Sequence, residues 1–325
     1  MNREKIENHL NNAWIKAAKN GGETHIFWPE EIDPLDSSRI MVDLLQSLYI
    51  EHDISKNTDQ VISSILNGDV EPWIVSHNNK PVACAALVQQ EKGVVELGRA
   101  ASIERGSGAG QIAMLMAALN KGSNKLVAEV RLADEFMGIP SGEATQRICF
   151  GILDLVPHAF FPAFAHGDPR RREMFAFSSE EFHTQNDSPL KTAKAVIANR
   201  DTGGSPKKLK IIKELPFRIA VPSTDGINFE DFQVIVRESQ AGCTLVPVEA
   251  TDNNLSTIGT LLRSGFVLTG VDRNFGQEGK PVLLFATVCI GTLIAPTKAS
   301  KVLPKNTRED IKSVARSFNN IAGRI

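Results

Sequence analysis

Apolar residues first recur at helical spacing. Ile6, Leu10, Trp14 and Ala17 lie three or four positions apart and stop at Gly21-Gly22, which predicts an amphipathic helix over 3–19. Asp36-Ser37-Ser38 can cap a second helix over 40–48, and 59–66 reads as a third, stopped by Asn67-Gly68. The period then shortens. Residues 73–75 and 81–89 read as strands joined by the turn Asn78-Asn79-Lys80, and Lys92-Gly93 leads into a third strand over 94–101. A helix rich in Met, Leu and Ala is predicted over 111–120 and a strand over 125–132. A helix from Ser141 to about Leu153 and strands over 158–165 and 173–178 then complete one core, over residues 24–183.

A second pattern follows the polar stretch 184–213, which carries Asn186-Asp187-Ser188-Pro189 and Gly203-Gly204-Ser205-Pro206 and reads as a linker. Strands are predicted over 216–222, 244–250, 267–271 and 281–290, with helices over 228–240, 254–264 and 306–320. The expected organisation is therefore a first domain over 1–183, a linker over 184–213 and a second, partial domain over 214–325. The rival is a single core in which 125–243 is an insertion.

The stretch with chemistry to offer is Val94 to Gly110 and the helix behind it. Gly106, Gly108 and Gly110 let a backbone pass close to a ligand without Cβ clashes. The unpaired N–H groups of the next helix's first turn, with its dipole, favour an anion there. No Lys follows the last glycine, so this is not a P-loop, and the spacing is not G-x-G-x-x-G.

Arg105-Gly106-Ser107-Gly108-Ala109-Gly110 resembles the [Q/R]-x-x-G-x-[G/A] signature of the GCN5-related N-acetyltransferase (GNAT) superfamily. The order of elements around it also resembles that family's core. The segment 254–266, a helix beginning with Asn and closing in Gly265-Phe266, resembles a second landmark of the family. The resemblance implies an α/β fold: a mixed, mostly antiparallel sheet flanked by helices, duplicated in tandem with a degenerate second copy. It implies acetyl-coenzyme A, or another acyl-coenzyme A, as co-substrate, with no metal. The pyrophosphate would lie on Arg105, Gly106, Ser107, Gly108, Ala109 and Gly110. Backbone groups around Gly98, Arg99, Ala100 and Ala101 would pair with pantetheine and polarise the thioester carbonyl. The strand over 125–132 would splay from its neighbour to admit the pantetheine arm.

Acyl transfer to an amine also needs a base and an acid. Glu96 is the candidate base, because a carboxylate among apolar strand residues is costly unless it faces a wet cleft or a partner. Its other reading is an ion pair with Arg99 or Arg131. The family's usual tyrosine acid is missing: counted back from Gly265-Phe266 its place falls at Leu261, and the chain's one tyrosine is Tyr49. Cys149, Ser141 or a water are the remaining candidates. This gap keeps a non-catalytic coenzyme-A-binding or scaffolding module as the alternative. The second pattern has the acidic Thr224-Asp225-Gly226 where the glycine loop would be and should bind pyrophosphate poorly.

His158, His166 and Asp168 lack tight ligand spacing, so a structural role is expected and no metal site is assigned. Arg170-Arg171-Arg172 reads as a solvated turn or as an anion contact. The net charge of −2 offers no footprint for nucleic acid or an anionic membrane surface. The four scattered cysteines, the polar first residues and the lack of a long apolar run point to a cytoplasmic protein. The expected partner is a small-molecule amine or an amino-acid-like acceptor, and homo-oligomerisation is compatible with the reading.

Overall fold

In the computed structural model the described residues are 1–48, 58–91, 93–104, 106–132, 141–164, 171–180, 188–198, 200, 203–213, 218–238, 243–272, 281–289, 291–295, 297 and 299–323. They form two compact units. The first comprises Met1–Glu129, Thr145–Val156 and Ser179–Glu181, and the second Val130–Ala144, Pro157–Ser178 and Phe182–Ile325.

The first unit opens with helix α1 (Arg3–Lys19), which buries Ile6, Leu10, Ala13 and Ala17. Strand β1 (Thr24–Phe27), too short to show an alternation, was not expected. Helix α2 (Pro34–Leu48) begins ahead of the expected cap. Asp33 accepts the Leu35 N–H at 2.9 Å, and Pro34 stands where no N–H is needed. Helix α3 (Thr58–Leu66) follows as expected. Strands β2 (Val70–His77), β3 (Lys80–Glu91) and β4 (Val94–Ser102) then form an antiparallel set, with β1 along the free edge of β2. Helix α4 (Ala109–Leu119) crosses over to β5 (Lys125–Arg131), which runs parallel to β4.

Two apolar layers hold this sheet. On one face Met41, Leu44 and Leu45 of α2 and Val61 and Ile65 of α3 pack on Ile74, Cys84, Ala86 and Ala101. Helix α4, which buries seven side chains in eleven positions, packs on β2, β3 and β4, and α1 packs on α4. A helix so uniformly apolar has to be covered on both sides. The first unit also contains a π-helical turn (Arg147–Ile152) that continues the short helix α5 (Ser141–Gln146).

In the second unit the strand order is β7-β6-β11-β12-β10-β9-β8, with β13 (Leu293–Ile294) beside β7. Here β6 is Val156–Phe164 and β7 is Arg171–Ser179. These two were expected to close the first core, yet they cluster with the second unit. Strand β11 (Val267–Asp272) closes on β6 at Gly270, where a Cβ would lie 2.1 Å from the His158 carbonyl oxygen, so only a bare backbone fits. The stretch 184–213, expected as a linker, carries regular elements. It contains helix α6 (Pro189–Ile197), capped by Ser188, and strand β8 (Lys208–Lys213), whose Leu209 is in the core.

The remaining elements are β9 (Arg218–Ser223), α7 (Phe229–Glu238), β10 (Cys243–Glu249), α8 (Leu255–Arg263), β12 (Val282–Val288) and the C-terminal α9 (Lys305–Ala322). One succession occurs twice along the chain. Antiparallel β3 and β4, the crossover α4 and parallel β5 are matched by antiparallel β8 and β9, the crossover α7 and parallel β10. Among the described residues no helix is long and apolar enough to cross a membrane.

Candidate functional site

The site is built on β4. Over its first three residues β4 pairs with β5, as Val94↔Lys125, Val95↔Leu126 and Glu96↔Val127. Among the described residues that ladder ends there, while β4 runs on through Leu97–Ser102. The divergence expected between these strands is therefore present at Glu96. On its other edge β4 bulges: Gly98 faces Ala86 and Ala101 faces Cys84, so Arg99 and Ala100 together oppose Ala85. Arg99 takes φ +50°, a left-handed conformation that a side chain rarely adopts, and its carbonyl accepts the Cys84 thiol at 3.6 Å.

Glu96 is half-buried, and its Oε2 accepts Gln90 Nε2 at 2.5 Å. Its Oε1 lies over Gly98, where a Cβ would come within 3.1 Å of it. This gives Gly98 a physical reason to be bare: the carboxylate occupies the space above it. Of the two arginines considered as partners, Arg131 sits 2.9 Å from Glu173, and Arg99 is the one whose charge Glu96 acts on. Burial lowers the Arg99 pKa, and the Glu96 carboxylate opposes that shift.

After β4 the chain turns through 103–108 into α4. The Glu104 carbonyl accepts both Ser102 Oγ at 3.2 Å and Ser107 Oγ at 2.9 Å, and Ser107 Oγ in turn accepts the Ala109 N–H at 3.2 Å. One amide of the first turn is thus capped internally. The next two, of Gly110 and Gln111, have no acceptor among the described residues. Two adjacent unsatisfied N–H groups at the positive end of a helix are donors for an anion.

The three glycines differ in purpose. Gly106 has φ +73° and open space beside it. Gly108 has φ +95°, and a Cβ there would lie 2.8 Å from the Ala13 carbonyl of α1, so this residue serves the packing of α1. A Cβ on Gly110 would lie 3.0 Å from the Ser102 Cβ, an approach that lets the helix start directly behind the strand.

His77 and Glu104 complete the loop's support and were not foreseen. His77 Nδ1 lies 2.9 Å from Glu104 Oε2 and Nε2 lies 2.9 Å from the Gly21 carbonyl. Both ring nitrogens face acceptors, so only the imidazolium satisfies both. The Glu104 bond, and after it the Gly21 carbonyl, raises the His77 pKa. No local signal links residues 21, 77 and 104.

The candidate acids fare less well. Cys149 is 1% exposed within the π-helical turn, and burial pushes its thiol up to about 12, so a leaving thiolate has no access to it. Leu261 is likewise sealed in the second unit's core. Ser141 begins α5, but its side chain lies outside the described residues, as do Arg105, Tyr49, His166, Asp168 and Arg170. His158 is buried with Nδ1 2.8 Å from the Val271 carbonyl, a structural placement. Arg172 is also buried, so that part of the expected basic turn is in the interior. Among the described residues no three of His, Cys, Asp and Glu gather in a metal-ligating group.

The corresponding turn of the second unit, between β9 and α7, is occupied differently. The Leu209 and Ile227 amides and carbonyls bond to each other at 2.8 and 2.9 Å, and a Cβ on Gly226 would lie 2.5 Å from Leu209. Asp225 takes bonds from Ser223, first, and then Lys210, which hold its carboxyl down to about 2. A carboxylate in this turn, although Lys210 lies 3.1 Å from it, disfavours a phosphate there.

No protein-family model and no curated protein matches the sequence. Many solved structures similar to the chain are GNAT-family acetyltransferases, each matching about half of it. One, from Desulfovibrio desulfuricans, is assigned to that family. It is 14% identical, covers 48% of this chain and 98% of its own, and gives a TM-score of 0.37. An aminoglycoside 6′-acetyltransferase type Ii is 12% identical over 48% of this chain and 96% of its own, with a TM-score of 0.34. A ribosomal L7/L12 α-N-protein acetyltransferase in complex with coenzyme A is 11% identical over 48% and 93%, also at 0.34.

Proposed function

We propose that the protein is an acyl-coenzyme-A-dependent N-acyltransferase of the GNAT type. It moves an acetyl or other acyl group to the amine of a small molecule or amino-acid-like acceptor. The observation that carries this reading is the succession along β4: a parallel ladder that ends at Glu96, a bulge at Arg99 and Ala100, and then a helix start with two amides unpaired among the described residues. That is a place for an extended thioester beside an exposed strand and for its pyrophosphate at the helix end. In the first unit Gly106, Ser107, Gly110 and Gln111 would hold the phosphates, and Gly98 to Ala101 the pantetheine and carbonyl.

The amine nitrogen attacks the thioester carbonyl carbon, the new C–N bond forms and the C–S bond breaks. Glu96 takes the amine proton, directly or through water, and a water protonates the departing thiolate, since Cys149 is enclosed. The duplicated succession of elements supports a tandem whose second copy, with Asp225 in its turn, shapes the protein without binding a donor. Four cysteines with no disulfide between them fit a cytoplasmic setting.

The alternative, a module that binds coenzyme A without turning it over, is favoured by the enclosure of Cys149 and Leu261. Calorimetric titration with acetyl-coenzyme A, followed by an amine-acceptor screen, separates the two. We expect one site per chain, unchanged in order of magnitude by Gly106→Asn and weakened at least about tenfold by Gly106→Asp. Both residues tolerate a left-handed backbone, and only Asp adds a charge facing the phosphates. No binding by the folded wild type refutes the reading. Binding without transfer to any amine leaves the module.

A further inference from the structure

Arg99 is poorly explained by the loop's support or by donor binding through the backbone. It adopts a left-handed conformation that glycine would take without strain. Its guanidinium is mostly withdrawn from water, and Nη1 is buried with no hydrogen bond among the described residues. A buried cationic donor without an acceptor is an arrangement that folding alone disfavours. It is placed three positions past Glu96, where the β4–β5 ladder ends, on the same strand.

We infer that Arg99 is the acceptor's carboxylate receptor, so that the substrates are α-amino acids or closely related amino-carboxylates rather than simple amines. The inference rests on the acyltransferase reading above. An α-amino acid carries its amine and its carboxylate on one carbon, so a single molecule can span Glu96 and the guanidinium on which its charge acts. Glu96 receives the ammonium end and Arg99 the carboxylate end. A guanidinium suits this task because its planar fork pairs with a carboxylate through two parallel bonds. The strained backbone of Arg99 lies within the bulge, where β4 departs from regular pairing with β3.

The test compares each of several amino acids with its decarboxylated amine as acceptor, at saturating acetyl-coenzyme A. The wild type should favour the amino acid. In Arg99→Gln, kcat/KM for the amino acid should fall about 10- to 100-fold further than kcat/KM for the decarboxylated amine, with that extra loss in KM. Arg99→Lys, which keeps the charge and loses the fork, should recover part of the loss, and thermal melts show whether each variant is folded. Equal losses on both acceptors overturn the inference. So does a wild type that prefers the bare amine, or a tenfold loss of coenzyme A affinity in Arg99→Gln, which would assign the guanidinium to a donor phosphate. Absence of any transfer by a wild type that binds coenzyme A would refute the catalytic reading instead, and calorimetric titration of the amino acids onto the coenzyme-A-loaded protein would then decide Arg99 directly: no carboxylate-dependent binding overturns it.

Discussion

Replacing Gly108 and Gly106 by alanine, one at a time, separates a glycine needed for packing from a glycine needed for a ligand. At Gly106 the new Cβ meets open space, and the penalty is that of the left-handed backbone, about 1–2 kcal/mol. At Gly108 the same backbone penalty applies, and the Cβ would also stand 2.8 Å from the Ala13 carbonyl oxygen. That oxygen belongs to the interior of α1 and cannot swing away, so α1 must shift on α4, at an overpacking cost of about 1–3 kcal/mol. Gly108→Ala should therefore lose about 2–5 kcal/mol, and Gly106→Ala about 1–2, in urea denaturation followed by far-ultraviolet circular dichroism. Trp14 on α1 gives a second, local signal whose fluorescence should change in the Gly108 variant alone. If the two variants lose the same stability to within about 0.5 kcal/mol, the assignment of Gly108 to helix packing is wrong. The same geometry makes Gly108 a poor place to probe binding, since a charge introduced there would act through α1 before it met any phosphate.

Two further outcomes follow from the loop and the strand. Glu96→Gln should reduce kcat about 10²- to 10⁴-fold with acetyl-coenzyme A affinity retained, whereas a merely structural Glu96 would show as a lower melting temperature at near-normal turnover. His77 gains two acceptors on folding and its pKa rises above 6.5, so its stabilisation is fully present below pH 6.5 and is lost as pH climbs through the raised folded value. The melting temperature of His77→Gln should thus fall furthest below wild type at pH 5.5 and approach it by pH 8.5. A difference that does not vary with pH would show that the imidazolium is not what holds Glu104 and Gly21.

The strands and helices that declared themselves in the sequence were those with a full face to bury. Helix α4 and strands β3 and β4 carry long apolar patterns, whereas in β2 the apolar run 73–75 marks only the middle of the strand. Strand β1 has four residues, of which one is buried, so no alternation could mark it. Strand β8 lay hidden for another reason: Lys208, Lys210 and Lys213 make it read as solvated chain, although Leu209 between them is fully buried. In the candidate site the glycine loop and Glu96 were legible because local chemistry specifies them. The contacts that fix the loop were not, since Ala13, Gly21 and His77 reach it from distant parts of the chain.

Those distant contacts also account for the difference between the two crossover turns. Both follow an antiparallel pair and lead through a helix into a parallel strand. In the first, the capping is done by Ser102, Ser107 and the Glu104 carbonyl, which spend hydroxyls and one amide and leave the Gly110 and Gln111 donors unused. In the second, Leu209 takes the Ile227 amide and carbonyl into the sheet and Asp225 supplies a charge of the wrong sign. A shared topology therefore does not carry a shared site. What separates the two turns is charge: Glu104 after β4 is paired with His77 beside the Gly110 and Gln111 amides, whereas Asp225 stands in the turn after β9.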